Sequence, residues 1–178
     1  MKTLLITLLI TTPLFAGDLY PQDREPAKID AVKRLVLNDA DRSKNLELRV
    51  TYPTQPGKHP AIIFSHGATG SKDVYQPLAT YWASFGYVVI QPTHLDSYKY
   101  GGKISDRATI ARAWKDRVDD VVFILDSLAT IEKRLPDGVR IDAERIAVAG
   151  HSYGAITAQM IAGMEYVLPR GRKISFPD

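Results

Sequence analysis

Hydrophobic and polar positions along the chain first follow the alternation of a β-hairpin. Residues 32–38 form one strand candidate, and residues 46–51 alternate Leu, Leu and Val with Glu, Arg and Thr, the period of a half-buried strand. The polar residues 38–45 between them are typical of a turn. Residues 17–31, with two Pro, three Asp and Lys28, favour an irregular lead-in. The sequence therefore predicts that the fold opens with an antiparallel hairpin.

Beyond this hairpin, short apolar runs alternate with helical periodicity. Continuous apolar runs are typical of strands covered on both faces in a parallel sheet, and they lie at residues 61–64, 87–90 and 145–149. Helical spacing predicts helices at residues 75–85, 110–128 and 153–163. The predicted fold class is α/β: an N-terminal hairpin leads into a mostly parallel sheet with helices on both faces. The polar face of the second helix carries Arg112, Lys115, Asp116, Asp119 and Asp120.

The first 16 residues have the pattern of a secretory signal peptide. Lys2 provides a basic start, residues 4–15 form an apolar stretch, and Ala16-Gly17 offers a small-residue cleavage point. The stretch is shorter than the roughly 20 apolar residues of a membrane-spanning helix. We therefore expect a secreted or periplasmic protein in which residues 1–16 are removed and no membrane span remains. A buried N-terminal strand or helix is the alternative.

Composition excludes several classes of protein. Of 178 residues, 45% are hydrophobic and 24% are charged, which is typical of a globular domain rather than a disordered or coiled-coil chain. The 23 Lys and Arg residues nearly balance 20 Asp and Glu residues without a dense basic run, so no nucleic-acid partner is predicted. Cysteine is absent, which excludes disulfides, a thiol nucleophile and Cys-ligated metals.

The sequence Gly150-His151-Ser152-Tyr153-Gly154 lies between the last predicted strand and the last predicted helix. In this context Gly-x-Ser-x-Gly predicts a sharp turn that holds a serine, strained and exposed, at the carboxyl edge of the sheet. Gly150 and Gly154 would leave out side chains where the strand and helix backbones approach. The helix would direct its first N–H groups, that of Tyr153 among them, toward developing negative charge. Ser152 is thus the candidate nucleophile, and a turn without a catalytic role is the alternative.

The sequence Ser65-His66-Gly67-Ala68 ends an earlier predicted strand and would bring a second N–H donor to the same edge. Our choice for that donor is the backbone N–H of Ala68, with Gly67 next. His66 has two open roles, a buried histidine bonded to the backbone or a group that transfers protons. Phosphate binding is disfavoured because no Lys-Ser or Lys-Thr follows in the P-loop position.

Three segments together resemble the α/β-hydrolase superfamily: residues 63–67, 86–94 and 146–154. Within it, the chain is most similar to platelet-activating-factor acetylhydrolase-like and dienelactone-hydrolase-like esterases. The resemblance implies a serine hydrolase that cleaves small-molecule or lipid-like carboxylic esters without a metal or other cofactor. It carries over Ser152 as the nucleophile, and the backbone N–H groups of Ala68 and Tyr153 as the oxyanion-hole donors.

The chain departs from the superfamily in its catalytic triad, whose order is serine, then acid, then histidine. All four histidines precede Ser152. We therefore expect residues 17–178 to be the N-terminal part of a single, incomplete α/β-hydrolase domain, with the triad acid and base beyond residue 178. This piece alone should be poorly soluble and at most feebly active. His94 is the in-chain candidate base, with a loop or pocket-lining role as the alternative, and Asp96 is expected to be a solvated or capping carboxylate.

Other functions stay open at this point. The same fold can serve as a non-catalytic binding module, and the same serine turn serves peptidases and thioesterases. Tyr98 and Tyr100, beside Gly101-Gly102, form either a pocket wall or simply an exposed loop.

Overall fold

The predicted hairpin forms one side of a five-stranded sheet. The structure, a computed structural model, describes residues 25–101, 107–167 and 173–174. The predicted signal peptide at residues 1–16 lies outside the described residues. Strands β1 (Ile29–Asp39) and β2 (Lys44–Pro53) pair antiparallel. Because β1 begins at Ile29, the irregular lead-in ends slightly earlier than the sequence predicts.

Three later strands extend the sheet. They are β3 (Gly57–Ser65), β4 (Val88–Thr93) and β5 (Val139–Gly150). The strand order is β1-β2-β4-β3-β5, in which β3 pairs in parallel with β4 and β5, and β2 pairs antiparallel with β4. The described sheet is therefore mixed rather than mostly parallel, because the hairpin contributes as many antiparallel pairings as the later strands contribute parallel ones.

Helices cover both faces of the sheet, which confirms the α/β prediction. They are α1 (Gln76–Ser84), α2 (Arg107–Asp126), α3 (Leu128–Glu132) and α4 (Tyr153–Ile161). Helix α1 packs beside Phe64 and Val89, whereas α2 and α3 pack on the opposite face beside Ile63 and Ile90. A separate ladder joins β6 (Tyr166–Val167) to β7 (Lys173–Ile174). Among the described helices, none is both long and apolar enough to cross a membrane.

Two elements differ from their predicted form. Strand β5 begins at Val139, before the predicted residue 145, and residues 145–150 are half-buried or exposed rather than buried. Among the described strands only β3 pairs with β5, so its other side has no neighbouring strand there. The helix predicted at residues 110–128 divides at Ser127 into α2 and α3.

The polar face of α2 is partly buried under the hairpin. The Asp120 side chain is fully buried, and Lys44 Nζ lies 2.7 Å from it and 2.6 Å from the Asp116 carboxylate. Arg42 Nη1 lies 2.9 Å from Asp120. Burial raises the pKa of Asp120, while the charges of Lys44 and Arg42 oppose that rise. The hairpin therefore supplies the cations that compensate for burying this carboxylate.

Candidate active site

The chain turns sharply at Ser152, between β5 and α4. Ser152 has φ 52° and ψ −116°, a backbone conformation that costs a non-glycine residue about 1–3 kcal/mol. Helix α4 begins at the next residue, Tyr153, so Ser152 stands directly before the positive end of the helix dipole. The residue is exposed, which leaves its hydroxyl accessible from outside the protein.

Two glycines allow three backbone segments to meet beneath Ser152. A Cβ atom on Gly150 would lie 2.3 Å from the carbonyl carbon and oxygen of Gly154, and one on Gly154 would lie 2.0 Å from the carbonyl oxygen of Ser65. Real Cβ atoms essentially never make contacts under 3.0 Å. The turn at residues 150–154, named the elbow from here on, therefore reaches the end of β3 only because both positions lack side chains.

The segment that follows β3, named the 66–70 loop, runs beside the elbow. The carbonyl oxygen of Ser65 accepts a hydrogen bond from the His151 N–H at 3.3 Å. A Cβ atom on Gly67 would lie 3.2 Å from His151 Nδ1. Ala68 is exposed, and its backbone N–H has no hydrogen-bond acceptor among the residues that the structure describes. The loop that carries Ala68 thus lies next to the turn that carries Ser152.

An open cleft of about 330 Å³ adjoins this edge of the sheet. Residues 67–71 form one wall, and Tyr75 and Tyr98 contribute aromatic surface to it. The Tyr75 hydroxyl lies 2.7 Å from Nδ1 of His151, which connects the cleft wall to the elbow. Tyr98 lines the cleft although it is also 76% exposed, so the two roles considered for this tyrosine coexist. Gly102, in the same predicted loop, lies outside the described residues.

His66 is buried between the 66–70 loop and β4. Its Nε2 accepts a hydrogen bond from the His94 backbone N–H at 3.1 Å, so Nδ1 carries the proton and donates to the Gly67 carbonyl oxygen at 2.6 Å. Burial, helped by the Arg117 guanidinium, lowers the pKa of His66 to about 4. The His66 imidazole is therefore neutral at neutral pH, and both of its ring nitrogens form hydrogen bonds with backbone groups.

His94, the in-chain candidate base, is fully buried. Its Nε2 lies 2.9 Å from Ser65 Oγ, and its Nδ1 lies 2.8 Å from Asp120 Oδ2. Burial lowers the pKa of His94 well below its usual value. Because both nitrogens are engaged inside the protein, neither can deprotonate Ser152, and the ring does not line the cleft. Within the described residues, no three His, Cys, Asp or Glu side chains come together as a metal site requires.

Arg117 is absent from the residues that the sequence singles out, yet it lies fully buried beneath the 66–70 loop. Its Nε and Nη2 each lie 2.8 Å from a carboxylate oxygen of Asp96. Burial raises the pKa of Asp96, but hydrogen bonds and the charge of Arg117 outweigh burial and lower it overall. A solvated Asp96 is therefore wrong, although the carboxylate does cap the loop by accepting the Thr69 N–H at 3.1 Å.

The register of Arg117 on α2 is the signal that could have identified it. Trp114, Arg117 and Val121 are separated by three and four residues, so they share one face of the helix. An arginine in a stripe that is otherwise apolar needs a partner inside the protein. The pattern predicts that such a partner exists, but it does not name Asp96.

Comparison with known proteins identifies a matching family and curated relatives. The family model described as Chlorophyllase matches residues 16–168. Chlorophyllase-1 of Arabidopsis thaliana is 26% identical over 116 residues, which cover 65% of this chain and 32% of that protein. Chlorophyllase type 0 of Chenopodium album is 26% identical over 137 residues, which cover 71% of this chain and 37% of that protein. The chain spans about a third of the length of these curated relatives.

Solved structures show the same architecture. A ferulic acid esterase from Streptomyces cinnamoneus matches with a TM-score of 0.57 at 20% sequence identity, covering 80% of this chain and 57% of that chain. Identity at this level shows the fold alone. Together with the family match over residues 16–168, this shared fold confirms the resemblance to the α/β-hydrolase superfamily, and the described residues form part of that fold.

Proposed function

Because the chain belongs to the chlorophyllase family, we propose that it acts as a serine hydrolase on carboxylic esters, with Ser152 as the nucleophile. The observation that carries the proposal is the conformation of the elbow. A serine held at φ 52° directly before a helix is locally unfavourable, and strain of this kind clusters at active sites. The two crowded glycines allow the backbones of β5, α4 and the end of β3 to meet at this turn.

The chemistry would proceed in two steps. Ser152 Oγ attacks the ester carbonyl carbon and gives up its proton to a base, while the carbonyl electron pair moves onto oxygen. The backbone N–H groups of Ala68 and Tyr153 stabilise this oxyanion. Collapse of the intermediate breaks the bond to the alcohol oxygen, which leaves with the proton from the base. Water then attacks the acyl-serine, and the carboxylic acid and the free hydroxyl are formed.

The general base and its acid are proposed to come from a part of the protein outside these 178 residues. His66 and His94 have both ring nitrogens engaged. His59 contacts carbonyl oxygens of Gly86 and Gln55, and His151 points its Nδ1 at the Tyr75 hydroxyl. The chain spans only about a third of the length of its curated relatives, which is consistent with a base and acid that lie elsewhere in the protein.

The cleft indicates the class of substrate. Val74 and Tyr98 are exposed and line it with apolar surface, and the elbow adjoins it through Tyr75. We expect one side of the ester, acyl or alcohol, to be a small-molecule or lipid-like apolar group that packs here. Lys99 lies at the rim, where its ammonium pairs with Glu47.

A fluorophosphonate probe tests the nucleophile in the protein as its gene encodes it. The expected result is a single covalent adduct, mapped by mass spectrometry to Ser152, together with turnover of p-nitrophenyl esters. Ser152→Ala should lose both, whereas Ser84→Ala, a serine at the end of α1, should keep both.

Retention of ester turnover by Ser152→Ala, or an adduct at another residue, would overturn the proposal. Binding of ester analogues without turnover or labelling would instead identify a non-catalytic binding module.

A further inference from the structure

Arg117 holds the first part of the 66–70 loop. Its Nη1 donates to the His66 carbonyl oxygen at 2.6 Å and to Ser65 Oγ at 3.1 Å, and its Nη2 donates to the Gly67 carbonyl oxygen at 3.2 Å. The planar guanidinium presents its donors in a rigid fork, so these bonds fix both position and direction. One buried side chain therefore binds three consecutive residues between β3 and the cleft.

The bond to Gly67 sets the direction of the Ala68 N–H. The two groups belong to one trans peptide, in which C=O and N–H point in opposite directions. The Gly67 oxygen also accepts from His66 Nδ1 and from the Gly70 N–H at 3.2 Å. With its oxygen held inward, this peptide directs the Ala68 N–H away from Arg117. A rotated peptide would present a carbonyl oxygen in place of the donor.

Asp96 holds the other side of Ala68. Its Oδ2 accepts the Thr69 N–H, and the Thr69 carbonyl oxygen accepts the Tyr98 N–H at 3.0 Å. Thr69 has φ 62°, a left-handed conformation that persists only where neighbouring contacts determine it. Because Asp96 is also the partner of Arg117, one ion pair clamps the loop before and after Ala68.

Arg117 also contacts the elbow. Its guanidinium carbon lies 4.7 Å from the centroid of the Tyr153 ring, within the range of a cation–π contact. Tyr153 contributes the second proposed N–H donor through its backbone. The same cation thus touches both segments that carry donors.

We propose that Arg117, paired with Asp96, is a positioning residue that fixes the Ala68 and Tyr153 N–H donors of the oxyanion hole relative to each other. This inference rests on the proposed ester hydrolysis and names the residues that pre-organise its site. Arg117 touches no substrate and acts through the backbone of the 66–70 loop.

Arg117→Lys tests this in the protein as its gene encodes it, because lysine keeps the charge but replaces the fork by one ammonium group. Removing an oxyanion donor costs about 10²–10³ in turnover, so a misdirected donor should lower kcat by about 10–100-fold, with KM changed less than kcat. The specific readout is the rate ratio between an ester and its thionoester, whose carbonyl oxygen is replaced by sulfur. Sulfur accepts hydrogen bonds weakly, so the ester should lose more rate and the ratio should fall.

The matched control is Arg42→Lys, which alters a partly buried arginine of the Asp120 cluster that does not contact the loop. It should leave the ester-to-thionoester ratio unchanged. If Arg117→Lys fails to fold, Asp96→Asn replaces it. Asparagine has one acceptor oxygen where Asp96 has two, so it cannot accept from both Arg117 nitrogens and the Thr69 N–H together, and the ratio should fall there too.

Equal losses of rate on the ester and the thionoester would leave the ratio unchanged. If Ser152→Ala still abolishes turnover, that result would overturn the positioning role and leave the proposed function intact. Turnover that survives Ser152→Ala would instead refute the proposed function itself.

Discussion

The hydroxyl of Ser65 lies 2.9 Å from Nε2 of His94, whose Nδ1 lies 2.8 Å from Asp120. This chain of serine, histidine and carboxylate repeats the order of contacts in a hydrolytic triad. All three side chains are fully buried, so no substrate can reach the hydroxyl. The arrangement supports the end of β3 and the base of the 66–70 loop, whereas Ser152 stands exposed on the elbow.

Ser65→Ala should destabilise the fold without changing the pKa values of the pH–rate profile. His94 Nε2 would lose its buried donor, which costs about 1–3 kcal/mol in the free energy of unfolding. Urea denaturation measures this cost, and Ser84→Ala should stay within about 0.5 kcal/mol of the native protein. A displaced pKa in the pH–rate profile of Ser65→Ala would show that the buried histidine takes part in proton transfer.

Gly154→Ala should be far more destabilising than Gly163→Ala. The new methyl at position 154 would lie 2.0 Å from the Ser65 carbonyl oxygen, so β3 and the elbow must separate, at a cost of about 3 kcal/mol or more. Gly163 has φ +92° with open space around it, so alanine there costs only the strain of the left-handed conformation, about 1–2 kcal/mol. Equal free energies of unfolding for the two variants would show that the elbow is not tightly packed.

Acid should destabilise the protein through His66. Its pKa is about 4 in the folded protein against 6.5 when unperturbed, so between these values the unfolded state binds a proton that the folded state does not. The free energy of unfolding therefore falls as the pH falls from 6.5 to 4, by about 3 kcal/mol. His66→Asn keeps a donor near the position of Nδ1 and cannot titrate. Its unfolding free energy should change less with pH across this window, and an unchanged slope would contradict the prediction.

Ser152→Gly should stabilise the fold while it removes activity. Glycine adopts positive φ without steric cost, so the variant should gain about 1 kcal/mol or more over Ser152→Ala, which lacks the hydroxyl but keeps the strain. Thermal unfolding of the two variants measures the difference. If Ser152→Gly is no more stable than Ser152→Ala, the elbow is relaxed in solution.

The sequence predicts those features that depend on neighbouring residues. Alternation predicts the β1–β2 hairpin, apolar runs predict β3 to β5, and the spacing of Gly150 and Gly154 around Ser152 predicts the elbow. Each of these is a local rule about how strands, helices and tight turns are built.

The buried ionic contacts escape prediction because they join distant parts of the chain. Periodicity assigns Asp120 to the polar face of α2, but burial depends on Lys44 and Arg42 arriving from the hairpin. Arg117 and Asp96 are likewise paired across two elements. An amphipathic pattern predicts which face of a helix is polar, but it does not predict whether a charged side chain from a distant part of the sequence buries that face.

The place of β3 in the sheet also has a consequence for folding during synthesis. Both of its partners, β4 and β5, follow it in the chain, and β5 ends only at Gly150. On the ribosome, this apolar strand emerges long before the segment that closes its second side. Until β5 has been synthesised, one edge of β3 is unpaired, and an unpaired apolar edge favours pairing with other chains.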